Sequence, residues 1–438
     1  MIQRSEFKIL RFGIWIYFIL LIFEGALRKW AFPGLATPLL IVRDPVAAWL
    51  IFLALRKNIL RPNLYLTGGI IISIISFFTA IFLGHGNIWV ALFGLRIFLL
   101  HFPLIFIIGH VFDRRDVVLL GKVMLWMAIP MTLLIAIQFY SPQSAWINRG
   151  TGESEGGGFS GAMGYYRPPA TFSFITGTSS FFSLVACYVF YFWLSGEKIN
   201  RIILIASTIA LLAAIPFSIS RTLFFAVGLT IVFAAMAIIR KPEYIGKMLL
   251  VLIICVTLFL TFGDNASIQT PIEAFTDRFT GANEVEGGLV KGVAGDRFLG
   301  GLLNPILGSS DQPFFGHGMG MGTNVGAMLL SGKTTYLIDE GEWGRLIGEQ
   351  GPLLGLSVIF LRLLFCLQLL KAAYSKLQLA DFLPWMILNF ALLSIAQGQW
   401  GQPSSLGFSV LVGGIMLAAF KYIPHKETVA QTLKETDS

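Results

Sequence analysis

The sequence predicts an all-α, polytopic membrane protein, and three observations carry that expectation. Of its 438 residues 55% are hydrophobic and 13% are charged, outside the balance of a water-soluble domain. The apolar residues are gathered into stretches of bilayer length instead of being spread at the spacing of a soluble core. One long interval, residues 263–345, contains no apolar run able to cross a bilayer, so it must stand outside one.

About twelve spans follow from the pattern. The first nine stretches are 12–23, 38–55, 64–83, 88–112, 117–140, 171–194, 202–217, 222–239 and 248–262. They make residues 1–262 a membrane unit, 263–345 an external loop region, and 346–422 a second membrane unit with stretches 346–370, 382–396 and 406–422. Residues 423–438 form a polar tail. Several stretches fall short of the roughly 20 residues of a straight span, so their ends must recruit polar flanks or tilt within a bundle. The first is followed by Glu24, Arg28 and Lys29, not by a small-residue cleavage site, and therefore reads as a span.

Lys and Arg stay on the cytoplasmic side of short loops. With both termini cytoplasmic, about eighteen of the 32 basic residues fall inside and roughly ten outside, among the former Arg11, Arg56, Arg114, Lys198 and Lys371. This orientation puts the long loop, and a shorter Gly- and Ser-rich loop over 141–170, on the external face. The net charge of +8 follows from the same asymmetry, and nucleic acid is not an expected partner.

Cys187, Cys255 and Cys366 all lie in apolar stretches and read as packing residues. No His, Cys or Asp cluster has metal-ligand spacing. The Gly316, Gly318, Gly320, Gly322 series lacks the Gly-Lys-Ser/Thr ending of a nucleotide loop and instead predicts a tight, irregular turn.

Charges at membrane depth are costly, so each demands a partner or a task. Arg221 opens a span at an external corner, at the height of a lipid headgroup, where a guanidinium suits either phosphate or simple snorkelling. Arg96 is too deep to snorkel and should face the bundle interior opposite a carboxylate or a lipid phosphate. Glu24, Arg28, Arg43 and Asp44 read as a structural ion-pair cluster, and Arg362 as a snorkelling anchor. The outer half of 171–194 is rich in Ser and Thr, a sign of close packing or of a hydrated cavity. His101 and His110 read as bundle residues with satisfied ring nitrogens. In the long loop Arg278, Arg297 and Arg345 stand among Asp339, Glu340, Glu342 and Glu349, which places phosphate-binding groups beside proton acceptors.

Four patches, in chain order, resemble the O-antigen ligase and O-antigen polymerase superfamily of bacterial membrane glycosyltransferases. The first is Tyr166-Arg-Pro-Pro-Ala-Thr-Phe-Ser-Phe174, and the second is Ser218-Ile-Ser-Arg-Thr222. The third comprises Arg278 and Gly295-Asp-Arg297. The fourth combines Pro313-Phe-Phe-Gly-His-Gly-Met-Gly320 with Glu349-Gln-Gly-Pro-Leu-Leu-Gly355, like the family's Gly-x-Gly turn and its re-entry into the membrane.

The resemblance implies transfer of a glycan from an undecaprenyl-pyrophosphate donor to a hydroxyl of a glycan or lipid acceptor. It implies an external active face on the bacterial inner membrane, contact with membrane lipid and polysaccharide assembly proteins, and no metal or other cofactor. Arg221 and Arg297 then correspond to the family's phosphate-binding arginines, with Arg167, Arg278, Arg345, Arg96 and Glu342 as further substrate-binding residues. The family's loop histidine is missing: Glu340 occupies its place, and Glu340, or Glu342 beside it, is expected to take over as proton acceptor. The same departure is compatible with a non-catalytic assembly partner. A transporter or exporter of lipid-linked glycan is the other alternative; it would ordinarily show paired halves with matching broken helices, and no matching partner of the late insert is legible in the first half.

Overall fold

The computed structural model describes residues 7–151, 158–240, 246, 265–286, 300–332 and 337–421. Among them, eight helices are long and apolar enough to cross a membrane, and three more are apolar but shorter. The apolar stretch 248–262, Arg297, Cys255 and the tail 423–438 lie outside the described residues.

Helix α1 (Lys8–Ala26) runs into a π-helical turn, Leu27–Ala31, and two short 3-10 turns lead to α2 (Asp44–Arg56). Next come α3 (Leu64–Phe82), α4 (Ile88–Arg96), a second π-helical turn at Ile97–His101, α5 (Pro103–Val111) and α6 (Arg114–Tyr140). A two-residue hairpin, β1 (Phe159–Ser160) against β2 (Tyr166–Arg167), precedes α7 (Ile175–Leu194), α8 (Arg201–Phe217) and α9 (Arg221–Arg240). The long loop contributes α10 (Ala266–Glu286), α11 (Gly300–Leu307) and α12 (Asn324–Ser331). The chain then returns through α13 (Glu342–Gln378), α14 (Phe382–Ala396) and α15 (Pro403–Ala419).

Polar residues at the ends of the apolar stretches start the helices by accepting their orphan N–H groups. Asn63, Asn87, Asn200, Thr323 and Asp381 do so for α3, α4, α8, α12 and α14, and Asp113 with Asp116 forms a reciprocal capping box on α6. The bundle has an inside and an outside: 78% of the most apolar window of α7 is buried, against 22% for the helix containing α2. On α3, Ile71, Ile74, Ile75 and Phe78 are exposed, as expected of a surface solvated by lipid tails.

Ion pairs and capping bonds knit each end of the bundle. At one end Arg11 of α1 meets Asp113 and Asp116 at 3.4 and 3.0 Å, and Arg114 binds Asp381 at 2.6 Å. Lys421 there donates to the carbonyl of Phe112 at 2.6 Å, closing the C-terminus of α5. At the opposite end of the same helices, Lys29 donates to the carbonyls of Ala170 and Phe172 at 2.6 and 2.9 Å, and Arg43 to that of Pro403 at 2.6 Å.

Candidate functional site

The second of these ends carries the candidate site. The corner between α8 and α9 is strained: Ile219, fully buried, has φ +47°, a conformation that a β-branched side chain adopts at a cost of about 1–3 kcal/mol. The Ser220 hydroxyl accepts from Leu223 N at 3.2 Å, which caps α9, and pairs with Ser179 of α7 at 2.9 Å. Arg221 is therefore delivered, half-buried, by a fixed helix start. Ile219 packs with Phe139 and with Ala274 of α10, while Phe275 and Phe279 of α10 lie against Phe224 of α9.

From α10, Arg278 donates to the carbonyl of Gly161 at 2.8 Å. Gly161 follows β1, and a Cβ built there would stand 2.7 Å from the Ile219 side chain and 3.5 Å from that of Arg167. Arg167, Arg278 and the residue two before Arg221 thus converge on one glycine. Three of the sequence-derived arginines belong to a single corner, and all three are half-buried.

The Gly-rich segment and the start of α13 form one unit. Gly351 has φ +77° and ψ 174°, and Pro352 follows without an N–H, so the helix breaks there. The carbonyls freed by the break, Gly348 O and Glu349 O, accept instead from His317 N at 2.8 Å and Gly318 N at 2.9 Å. The strap presses so closely that a Cβ on Gly351 would lie 2.1 Å from Phe314 O. The backbone held in this way turns the His317 side chain outward to solvent.

Beneath the break lies a buried ionic network. Glu342 Oε1 accepts from Arg345 Nη2 at 2.9 Å and from Arg362 Nη1 at 2.6 Å. Its Oε2 accepts from Arg345 Nε at 2.9 Å and Trp400 N at 3.1 Å. Glu349 accepts from Arg345 Nη1 at 2.7 Å and from Gly322 N at 2.8 Å. Arg362 also donates to the carbonyls of Ile395 and Gly398 at 2.6 and 2.9 Å and lies 4.0 Å from the centroid of the Trp400 ring. The sequence reading of Arg362 as a snorkelling anchor is thereby corrected: its guanidinium faces the protein interior and not the membrane rim. Glu342 and Arg345 likewise spend their hydrogen-bonding capacity inside the protein, which leaves Glu340 as the exposed carboxylate of the two proposed proton acceptors. Glu340, Asp339, Asn324, Gln399 and Gln402 surround a small hollow floored by Glu342 and Arg345.

A second buried network contains Arg96. Its Nη1 donates to Asp44 Oδ2 at 2.7 Å, so of the two expected partners the structure supplies the carboxylate. Asp44 Oδ1 lies 3.0 Å from His101 Nε2, and His101 Nδ1 lies 2.9 Å from the Tyr17 hydroxyl. An ionised Asp44 fixes the tautomer: Nε2–H donates to the carboxylate and the tyrosine O–H donates to Nδ1. Arg43 joins Tyr17 at 3.4 Å to Glu24 at 3.1 Å, and Arg28 continues from Glu24 at 3.7 Å. The two π-helical turns supply Arg28 and His101 to this chain. The structural ion-pair reading holds, enlarged by Tyr17, Arg96 and His101.

One turn of α7 links the arginine corner to the carboxylate hollow. Thr176 donates to Gln402 Oε1 at 3.0 Å and Ser179 pairs with Ser220 at 2.9 Å. Residues three apart on a helix share a face, with Cβ atoms about 5–6 Å apart. The Thr176 and Ser179 hydroxyls therefore bond across helix ends, as close packing requires.

Sequence reasoning passed over the segment Gln397–Gln402, yet it touches Glu342, Arg362 and Thr176 and adjoins Pro403, which holds Arg43. The signal was there in Gln399, Gly401 and Gln402, polar or small residues wedged between two apolar stretches. No protein-family model and no curated protein matches this chain.

Proposed function

We propose that the protein transfers a glycan from a lipid-linked diphosphate donor to an acceptor hydroxyl in cell-surface polysaccharide assembly, as O-antigen ligases and polymerases do. The observation that carries this reading is the bridging of Arg221's corner and Glu340's hollow by one turn of α7. Arg167 and Arg278 meet at Gly161 beside Ile219, and Arg221 opens α9 two residues on; in this reading the three arginines receive the diphosphate, with a carboxylate on the other side of the same turn of α7.

In the proposed reaction the acceptor oxygen forms a bond to the anomeric carbon while the bond from that carbon to the diphosphate breaks. The electron pair leaves with the diphosphate, whose charge the guanidinium groups stabilise, and the hydroxyl proton passes to the Asp339–Glu340 carboxylate pair. Arg297 joins the arginines by resemblance. The proposed setting is a bacterial inner membrane with this end of the bundle on the external face.

The break in α13 favours one alternative, a carrier of lipid-linked glycan, because broken helices line transport sites. Against it, the carbonyls released by this break are already bonded to the strap. The test is surface glycan in a deletion strain complemented with Arg221→Ala or Glu340→Gln. Glycan lost at normal protein level supports transfer; glycan unchanged in both strains leaves an assembly partner in its place.

A further inference from the structure

Glu340's hollow has a volume of about 10 Å3, room for a single water molecule and no more. On the other side of Asp339 lies a second hollow of about 520 Å3, lined by Asn304, Gln312, His317, Asp339, Leu337 and Ile347 among others. Its size falls within the roughly 300–1,000 Å3 of small-molecule sites. Asp339 belongs to both hollows, and its Oδ1 is fixed by the N–H of Gly341 at 2.6 Å.

The chemistry of the walls narrows the ligand. Asn304 and Gln312 offer both donors and acceptors, Asp339 only acceptors, and His317 one of each when neutral. Among the described residues no Lys or Arg lines this hollow, and the described wall offers hydrogen-bonding groups in place of a cation. Pro305, Leu337, Ile338 and Ile347 add an apolar wall suited to the C–H face of a ring. Donors and acceptors beside an apolar surface match the hydroxyls and C–H face of a sugar.

His317 is also positioned with unusual firmness for an exposed side chain. The glycines on either side have φ +69° and +117°, and its own N–H is tied to Gly348 O. A rigid backbone that presents a half-polar ring at a cavity edge lowers the cost of ordering it on binding.

We infer that this second hollow is a carbohydrate subsite, in which His317, Asn304, Gln312 and Asp339 hold the acceptor sugar of the proposed transfer. This rests on the proposed function for the word acceptor and on the hollow alone for the sugar. Asp339 is the shared wall through which a sugar hydroxyl reaches the carboxylate pair.

The test uses the full chain in lipid nanodiscs and saturation-transfer NMR with five free sugars: glucose, galactose, mannose, N-acetylglucosamine and rhamnose. At least one gives a signal with the wild type. Asn304→Trp, which fills the hollow from an exposed helix position, abolishes it while the thermal midpoint stays unchanged. Gln312→Ala and His317→Ala each weaken binding about tenfold, the effect of one lost hydrogen bond to a bound ligand. Silence from all five sugars, or an undiminished signal in Asn304→Trp, overturns the inference. A signal that Asn304→Trp removes, together with normal glycan in the Arg221→Ala strain, keeps the sugar site and discards the transferase.

Discussion

The Ser179 and Ser220 hydroxyls lie 2.9 Å apart, a hydrogen bond that pins the start of α9 to the side of α7. Ser220 is simultaneously the cap of α9. Its replacement by alanine removes both contacts, and the cap alone is worth about 1 kcal/mol. Ser220→Ala should lower the midpoint of thermal unfolding by a few degrees, yet reduce glycan formation far more than the lost folded fraction explains. Activity that falls only in proportion to folded protein would separate Ser220 from the positioning of Arg221.

A second expectation concerns charge type at the arginine corner. Arg278→Lys keeps the charge but loses the planar fork that can bridge the Gly161 carbonyl and a phosphate oxygen together. Glycan output should fall nearly as far for Arg278→Lys as for Arg278→Ala, with expression unaltered. Full activity in the lysine variant would make this residue a simple counter-charge.

The buried network under α13 yields a stability prediction. Arg362→Met leaves Glu342 with fewer donors in the interior, and breaking a buried pair from one side costs about 3–5 kcal/mol. The double variant Glu342→Gln with Arg362→Met should recover a substantial part of that loss, because the network's excess negative charge is gone and Arg345 still pairs with Glu349. Additive losses in a melting series would contradict the coupling.

Gly351 is the fourth point of test. Alanine there would hold φ +77° at a cost of about 1–3 kcal/mol and would also displace the strap, whose Phe314 carbonyl lies 2.1 Å from the new Cβ. Gly351→Ala should give little folded protein, whereas Gly332→Ala, also at positive φ but in open space, should be recovered at near-normal yield. Size-exclusion profiles of the two detergent extracts decide it.

How much of this was legible beforehand depends on the kind of interaction. The helices were legible because a bilayer demands long apolar runs, and such stretches within the described residues are largely helical, although residues 171–174 form a turn before α7 and residues 38–43 a 3-10 helix and turn before α2. Local chemistry was legible at the tight turn of Gly316 to Gly320, which follows from glycine alone, whereas the kink at Gly351-Pro352 inside the stretch 346–370 was not read. Pairings were not. Arg362 resembles an anchor in one dimension because its depth is visible and its neighbours are not. Only folding brings it to Glu342, twenty residues earlier, and to the Ile395 and Gly398 carbonyls. The convergence of Arg167 and Arg278 on Gly161 is likewise a product of topology, since the hairpin and α10 lie far apart in the chain.

The corner joining α14 to α15 bears on how the chain is assembled during synthesis. Arg43 emerges early, and Arg362 later, but the carbonyls of Pro403, Ile395 and Gly398 that complete their bonding arrive only with the final helical pair. Until that hairpin is in place, Arg43 Nη2 and Arg362 Nε and Nη2 lack these acceptors, although Glu24, Tyr17 and Glu342 already hold the remaining N–H groups. A chain stopped before residue 395 would thus hold two guanidinium groups with part of their hydrogen bonding unmet, so the last two helices complete residues laid down long before them.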